Sequence, residues 1–453
     1  MGFSIKNYKP HYIALITLGI PIVIGQMSTI VLGFADTLMI GHHSTIELAA
    51  AGFINNVFSI LLIFALGFSS GLVPIAGSMY GEGRQSEIGR MVKNSLAANI
   101  ILSLVLVVVS LLLYAFLDRL GQPDELIPIM RPYLLIHTAG LPFVSCFNVF
   151  KQFFDSIGYT RAPMAVMVFG VGFNIVANYL LIYGVKIGGD LTIVPELGLI
   201  GAGIATLMAR VLMAAGIVAL FLRLKVSKRY REDYRTAQVN KEDLKAVNTM
   251  GWPLAVQAGL ESAAFMSTVI MVGWIGAMPL AADQIMLSLS TLFFMVYYGM
   301  AGAIAVRVSH FHGMRDSVSA NRSTWAGFHI IMVVALIISI PIWSSRHEIS
   351  YLFTDSTEVC QLVASCIPLL ILYQFGDGLQ CSFGNALRGL GCAKAMMIVS
   401  FIAYFIVSLP LSYIFAFPVG WGLRGVWTAF PICLTLAGVL YYAAFRYYRR
   451  RMF

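Results

Sequence analysis

The stretch PIVIGQMSTIVLGFADTLMIG, Pro21–Gly41, carries a single formal charge, that of Asp36. A helix rises about 1.5 Å per residue and the hydrocarbon layer is about 30 Å thick, so roughly 20 mainly apolar residues make one membrane span. Pro21–Gly41 meets that length. Lys6 and Lys9 precede the apolar run, as they would in a signal peptide. Gln26 and Asp36 interrupt it, however, and the small residues Ala49–Ala51 lie far downstream, so it reads as a retained first span. The same pattern recurs outward from this stretch. Twelve spans are expected, starting near residues 11, 48, 91, 130, 163, 200, 249, 281, 323, 361, 396 and 424.

The composition agrees. The chain has 453 residues, 59% hydrophobic and only 11% charged, against about 25% charged in a soluble domain. That leaves too little polar surface for an aqueous shell and requires a lipid-facing one. Lys and Arg outnumber Asp and Glu by 30 to 21. In a soluble protein this excess would suggest a nucleic-acid partner; here its placement fixes orientation instead. With the N-terminus cytoplasmic, 24 of the 30 basic residues fall in cytoplasmic connectors and five outside (Arg119, Arg131, Lys186, Arg346, Arg424), leaving Arg210 within a helix. Positive charge concentrates on the cytoplasmic side of membrane proteins, and this bias would collapse if one span were miscounted. Both termini are therefore expected in the cytoplasm.

The halves repeat. At an offset of 232 residues Pro21 matches Pro253, Gly41 matches Gly273, Gly67 matches Gly299 and Gly81 matches Gly313. At an offset of 233, SIGYTRAPM aligns with GLGCAKAMM. Six helices per half is an even number, so both halves enter from the same side. The expected fold is an all-α polytopic membrane protein: two six-helix lobes related by a pseudo-twofold axis along the membrane normal. Its parts are an N-lobe over 1–224, a charge-rich cytoplasmic connector over 225–248 read as a solvated hinge, and a C-lobe over 249–453.

Most acidic residues lie in connectors, but Asp36, Glu261 and Asp377 lie within spans, with no Lys or Arg near them on the same helix. A charge at the bilayer centre costs roughly 2.5–3.5 kcal/mol on insertion scales, so intramembrane carboxyls mark ion or substrate sites by default. The bland alternative is a protonated carboxyl bonding between helices. Asn174 and Asn178 are spaced i,i+4 on one helix face. They either bond to neighbouring helices or join Asp36 as oxygen ligands for a hard cation. Tyr297 and Tyr298 either pack or offer an aromatic face to a cation. Asp283 falls near the outer end of the eighth helix.

Other motifs carry less. Gly67-Phe-Ser-Ser-Gly71 has the G-x-S-x-G form, but it lies in an apolar helix where close packing explains it. His310 and His312 lack further ligands, and His347-Glu348 lacks a second His at zincin spacing. No Walker-type phosphate loop occurs. The six cysteines read as buried, inert thiols. A membrane-embedded enzyme would need a nucleophile–base pair or a metal motif, and none is found.

Taken in order, Pro21, Gln26, Asp36, Gly41 and ELAAAGF, then DSIGYTRAPM, Asn174, Asn178 and LGLIGAGIATLM, then Glu261, LFTDSTEV and QFGDGLQCSFGNALRGLG form a specific series. Over essentially its whole length the chain resembles the multidrug and toxic compound extrusion (MATE) family, most closely the bacterial NorM-like branch. The resemblance implies a multidrug efflux antiporter that expels cationic or amphipathic small molecules in exchange for Na⁺ or H⁺, with no other cofactor. Carried over by position, Asp36, Asn174 and Asn178, with Thr206, correspond to an N-lobe ion site. Glu261 and Asp377, with Tyr298, correspond to a C-lobe cation and substrate site. Na⁺ is expected at one set or the other. Asp283 and Asp355 are candidates for the outer mouth, although Ser356 stands where relatives can carry a second acid. Asn178, where proton-type relatives carry Asp, leaves the coupling ion open. The expected setting is the plasma (inner) membrane, multi-pass, as a monomer without nucleic acid. The rival reading is a flippase for lipid-linked substrates, whose cavity should be basic.

Overall fold

The computed structural model of the chain describes residues 5–187 and 191–453. Among these, twelve helical segments are long and apolar enough to cross a membrane. Each begins within eight residues of its expected start. The first span is α1 (Ile5–His43). The second is α2 (Thr45–Ser69) continued by α3 (Leu72–Gly81). The third is α4 (Ile88–Ala115), and the fourth is α5 (Ile127–Ala139) with α6 (Leu141–Ser156). Next come α7 (Arg161–Tyr183) and α8 (Gly198–Arg223). Between these two, Val185–Ile187 and Leu191–Val194 pair as a small antiparallel hairpin. The connector holds α9 (Lys228–Thr236). The second half runs through α10 (Lys241–Ile275), α11 (Ala277–Gly313), α12 (Ser317–Ser344) and α13 (Thr357–Gly389). The eleventh span is α14 (Ala393–Ser400), a π-helical segment Phe401–Ser408, and α15 (Leu409–Ala416). The twelfth is α16 (Leu423–Met452).

The side chains are arranged for lipid. On α4, Ser95, Asn99, Ser103 and Ser110 are buried while Ile101, Leu104, Val105, Val108 and Leu112 are exposed. A soluble helix would do the reverse. Several of these buried polar groups bond locally, as an apolar solvent favours. Asn99 Nδ2 donates to the Ser95 carbonyl at 2.9 Å, and the Ser110 hydroxyl bonds that of Thr138 at 2.6 Å.

The repeat is visible in the helix bounds. The second and eighth spans, Thr45–Gly81 and Ala277–Gly313, have equal length and lie 232 residues apart at both ends. The turns also match. Gly158 and Gly391 both have positive φ, 78° and 76°. Each sits beside a helix-ending bond of the same pattern, Tyr159 N–H to Phe154 O at 2.8 Å and Cys392 N–H to Leu387 O at 3.1 Å. A side chain with a β-branch is strained at such a φ by about 1–3 kcal/mol. Gly158→Val and Gly391→Val should therefore each lower the thermal unfolding midpoint in detergent by several degrees. The same substitution at Gly33, which lies within α1 with nothing near a would-be Cβ, should cost less.

The chain separates into two compact units. One takes Ile24–Leu72 and Arg84–Ala255; the other takes the segment ending at Val23, with Val73–Gly83 and Val256–Phe453. The chain passes from one to the other inside α1 two residues after Pro21, and inside α10 two residues after Pro253. These prolines are repeat-related, and a proline weakens a helix by removing a backbone donor. Within the first unit, a Cβ on Gly67 would lie 2.8 Å from Ala255 Cα. Close helix packing thus accounts for the G-x-S-x-G form.

The connector is largely exposed, as its charge suggests, but part of it is anchored. Its helix α9 docks on α4 within the same unit. Tyr230 is 4% exposed and packs edge-on against Phe153, with ring centroids 5.3 Å apart. The Asp233 carboxylate accepts the Arg90 backbone N–H at 2.6 Å, capping the start of α4. Burial pushes the Asp233 carboxyl above its ordinary range, and the Arg90 and Gly89 amides pull it back. Asn240 Oδ1 accepts the Asp243 N–H at 2.8 Å and so caps α10, while Asp243 pairs with Arg90 at 2.9 Å. Tyr230 and Tyr234, spaced i,i+4, supply the apolar face that overrides the surrounding charge.

Candidate functional site

Each unit holds a polar cluster built around a carboxyl group. In the first unit, α1 presents Asp36, α7 presents Asn174 and Asn178, and α8 presents Thr206. Asn178 Nδ2 donates to Asp36 and, at 3.0 Å, to Asn174 Oδ1. Asn174 Nδ2 in turn donates to the Thr206 hydroxyl at 3.3 Å. The four expected residues thus form one hydrogen-bonded chain across three helices. Both Asn side chains are fully buried. Asn178 Oδ1 has no hydrogen-bond partner among the described residues, which leaves an acceptor oxygen open beside a carboxylate. That donor set suits a hard monovalent cation or a proton.

One residue at this site was counted by sequence and not recognised. Arg210 lies one turn beyond Thr206 on α8, in the apolar run ATLMARVLMAAG. Its guanidinium donates to the His137 carbonyl at 3.3 Å and lies 5.4 Å from the Phe58 ring centre. It stands one helical turn from Thr206, the last member of the Asp36 hydrogen-bonded chain. Opposite charges held near each other in a poor dielectric interact far more strongly than in water. The signal was available: a charge in mid-span is a functional candidate whatever its sign.

In the second unit α10 presents Glu261 and α13 presents Asp377. Three donors converge on Glu261. Gln257 Nε2 reaches Oε2 at 3.1 Å, while Gln380 Nε2 at 3.2 Å and the Tyr404 hydroxyl at 3.0 Å share Oε1. Asp377 is 1% exposed and accepts a long bond from Cys381 Sγ at 3.7 Å. Its Oδ2 has no partner among the described residues. Asp377 and Gln380, three apart on α13, share a face, so the two carboxyl groups belong to one electrostatic neighbourhood. No Lys or Arg makes an ion pair with either of them among the described residues.

The other expected residues are placed differently. Tyr297, fully buried, donates to Gln374 Oε1 at 2.6 Å, one turn from Asp377. Tyr298 is half-buried and packs against Phe294. Of the two tyrosines, Tyr297 therefore reaches a side chain one turn from Asp377, while Tyr298 packs on Phe294. Asp283 is buried and accepts the Trp427 indole N–H at 2.8 Å, joining α11 to α16. Asp355 is exposed in the loop before α13 and takes no part in the Glu261 network. Among the described residues no three His, Cys, Asp or Glu side chains are grouped to hold a metal ion. Gln257, Gln380 and Tyr404 were not anticipated.

Comparison with known proteins agrees with this architecture. The chain is 28% identical over 446 residues to a "Probable multidrug resistance protein NorM" of Photorhabdus laumondii, covering 97% of this chain and 96% of that one. A "Multidrug resistance protein NorM" of Photobacterium profundum is 27% identical, with 96% and 95% covered. Among solved structures, the Vibrio cholerae MATE transporter VcmN superposes with a TM-score of 0.87 at 17% identity, covering 98% of each chain. The eukaryotic MATE transporter AtDTX14 gives 0.85 at 19% identity, with 98% of this chain and 100% of that one covered. The MatE family model matches residues 21–180 and 253–414, one block in each half of the repeat. The chain belongs to the MatE family and is a multi-pass membrane transporter, not an enzyme.

Proposed function

We propose that this transporter is a secondary-active multidrug exporter, which expels cationic or amphipathic small molecules in exchange for Na⁺ or H⁺. The observation that carries the proposal is the Glu261–Asp377 pair: two carboxyl groups in a membrane protein, one with an oxygen left without a partner, and neither ion-paired to a basic side chain. Keeping such groups in apolar surroundings is costly unless a cation or proton neutralises them. A coupling ion and a cationic drug then compete for the same negative charge, and competition of this kind is what links their opposite movements. The Asp36 chain supplies a second place for the coupling ion. The multidrug resistance names of the two relatives support the substrate class, and the bias of Lys and Arg supports cytoplasmic termini in the plasma membrane.

One elementary charge moving down a 100 mV potential releases about 2.3 kcal/mol, so a single inward-moving ion drives appreciable accumulation of drug outside. The flippase reading calls for a basic cavity, whereas the cluster around Glu261 and Asp377 is acidic. The test is purified protein in liposomes, with ethidium movement followed under an imposed sodium gradient, a proton gradient or neither. Movement should depend on one of the two gradients. Equal rates in all three conditions would overturn the exchange mechanism.

A further inference from the structure

We infer that Tyr404 is a positioning residue whose hydroxyl competes with the coupling ion for Glu261, a reading that rests on the proposed exchange mechanism and refines its ion site.

The inference begins with the backbone. Pro410 has no N–H to offer the carbonyl of Ile406, four residues back, and its ring would crowd that carbonyl. The chain upstream widens into the π-helical segment Phe401–Ser408, in which Leu409 N–H bonds the Tyr404 carbonyl. Single π-turns inside α-helices occur often at functional sites. Here the widening is held from α16, where Cys433 Sγ donates to the Ala403 carbonyl at 3.0 Å. Tyr404 is consequently 1% exposed and turned toward Glu261. The ring of Phe265, one turn beyond Glu261 on α10, lies 6.2 Å from its own.

The hydrogen-bond count makes the site unusual. Tyr404 has one hydroxyl proton, but two acceptor oxygens are within reach: Glu261 Oε1 at 3.0 Å and Gln380 Oε1 at 2.8 Å. It can serve only one at a time. The charge on Glu261 decides which. When Glu261 is an unoccupied carboxylate, the hydroxyl gains a charge-assisted bond by donating to it. When Na⁺ or a proton neutralises Glu261, that advantage goes and the hydroxyl turns to Gln380. Tyr404 keeps its proton throughout, and only the direction of its O–H changes. The other titratable groups around this hydroxyl are Asp377 on α13 and Cys433 and Tyr441 on α16. Among the described residues none of these hydrogen-bonds to the Tyr404 hydroxyl.

The test uses full-length protein in liposomes, with ethidium movement measured over a series of Na⁺ concentrations and of pH. Tyr404→Phe keeps the ring and removes the competitor. The coupling-ion concentration for half-maximal transport should fall about tenfold, as expected for a hydrogen bond to a charged group. The maximal rate should fall as well, because the ion leaves more slowly. Incorporating 3,5-difluorotyrosine at position 404 keeps the fold and makes a stronger donor, so the same concentration should rise. An unchanged half-maximal concentration in both variants would reduce Tyr404 to a packing residue, and a change in the opposite direction in either would also overturn the inference. Failure of the exchange mechanism is distinct, since the wild-type protein would then show no ion dependence at all.

Discussion

Asp377→Asn is expected to remove gradient-driven ethidium movement, by at least tenfold, from a protein that still folds. Asn has the shape of Asp and still offers Oδ1 to Cys381, the one donor near the native carboxyl. It cannot carry the negative charge that binds an ion. Isosteric replacement of a group this poorly bonded should leave the thermal midpoint within a few degrees of wild type. Glu261→Gln should be as inactive and somewhat less stable. Its new amide group would face one of three donors, Gln257, Gln380 or Tyr404, which now converge on two carboxylate oxygens. Retention of full exchange by both variants would remove the second unit's carboxyl pair from the mechanism.

The second large effect is expected from Arg210. Arg210→Met removes a half-buried positive charge one turn from the Asp36 chain, and Asp36→Asn removes that chain's negative charge. Each alone leaves an uncompensated neighbour, so each should slow transport severely. The double variant should be less impaired than the product of the two single effects, with a coupling of about 1–2 kcal/mol, equivalent to roughly five- to thirtyfold in rate. Simple multiplication of the two losses would mean that Arg210 only braces α8 against the His137 carbonyl and Phe58. The Asp36 chain would then act without a built-in counter-charge.

Much of this was legible before the coordinates. The spans were readable because bilayer thickness fixes helix length. The Asp36–Asn178–Asn174–Thr206 chain was readable in part because an i,i+4 amide pair in a span has one face to share. Other features were not, each for a physical reason. Tyr297 and Tyr298 differ by about 100° around α11, and a helix apolar on all sides gives no periodic signal to say which points inward. Tyr404 sits in the apolar run MMIVSFIAYFIVSLPLSYIF, where its direction is set by a π-turn that depends on Pro410 and on Cys433 across the bundle. The docking of α9 was not legible from charge alone; the Tyr230–Tyr234 spacing carries it. Arg210 stands outside the loop tally, and its place within a span marks it as a candidate in its own right.

The matched helix bounds and paired glycine turns describe one backbone used twice, yet the acids do not follow the duplication. The repeat partner of Asp36 is Thr268, that of Glu261 is Thr29, and that of Asp377 is Val144. The two halves thus share helix bounds and turns while their chemistry differs, each carrying charge where the other has none. The two polar clusters are built from different residues on matched helices, so neither serves as a template for the chemistry of the other.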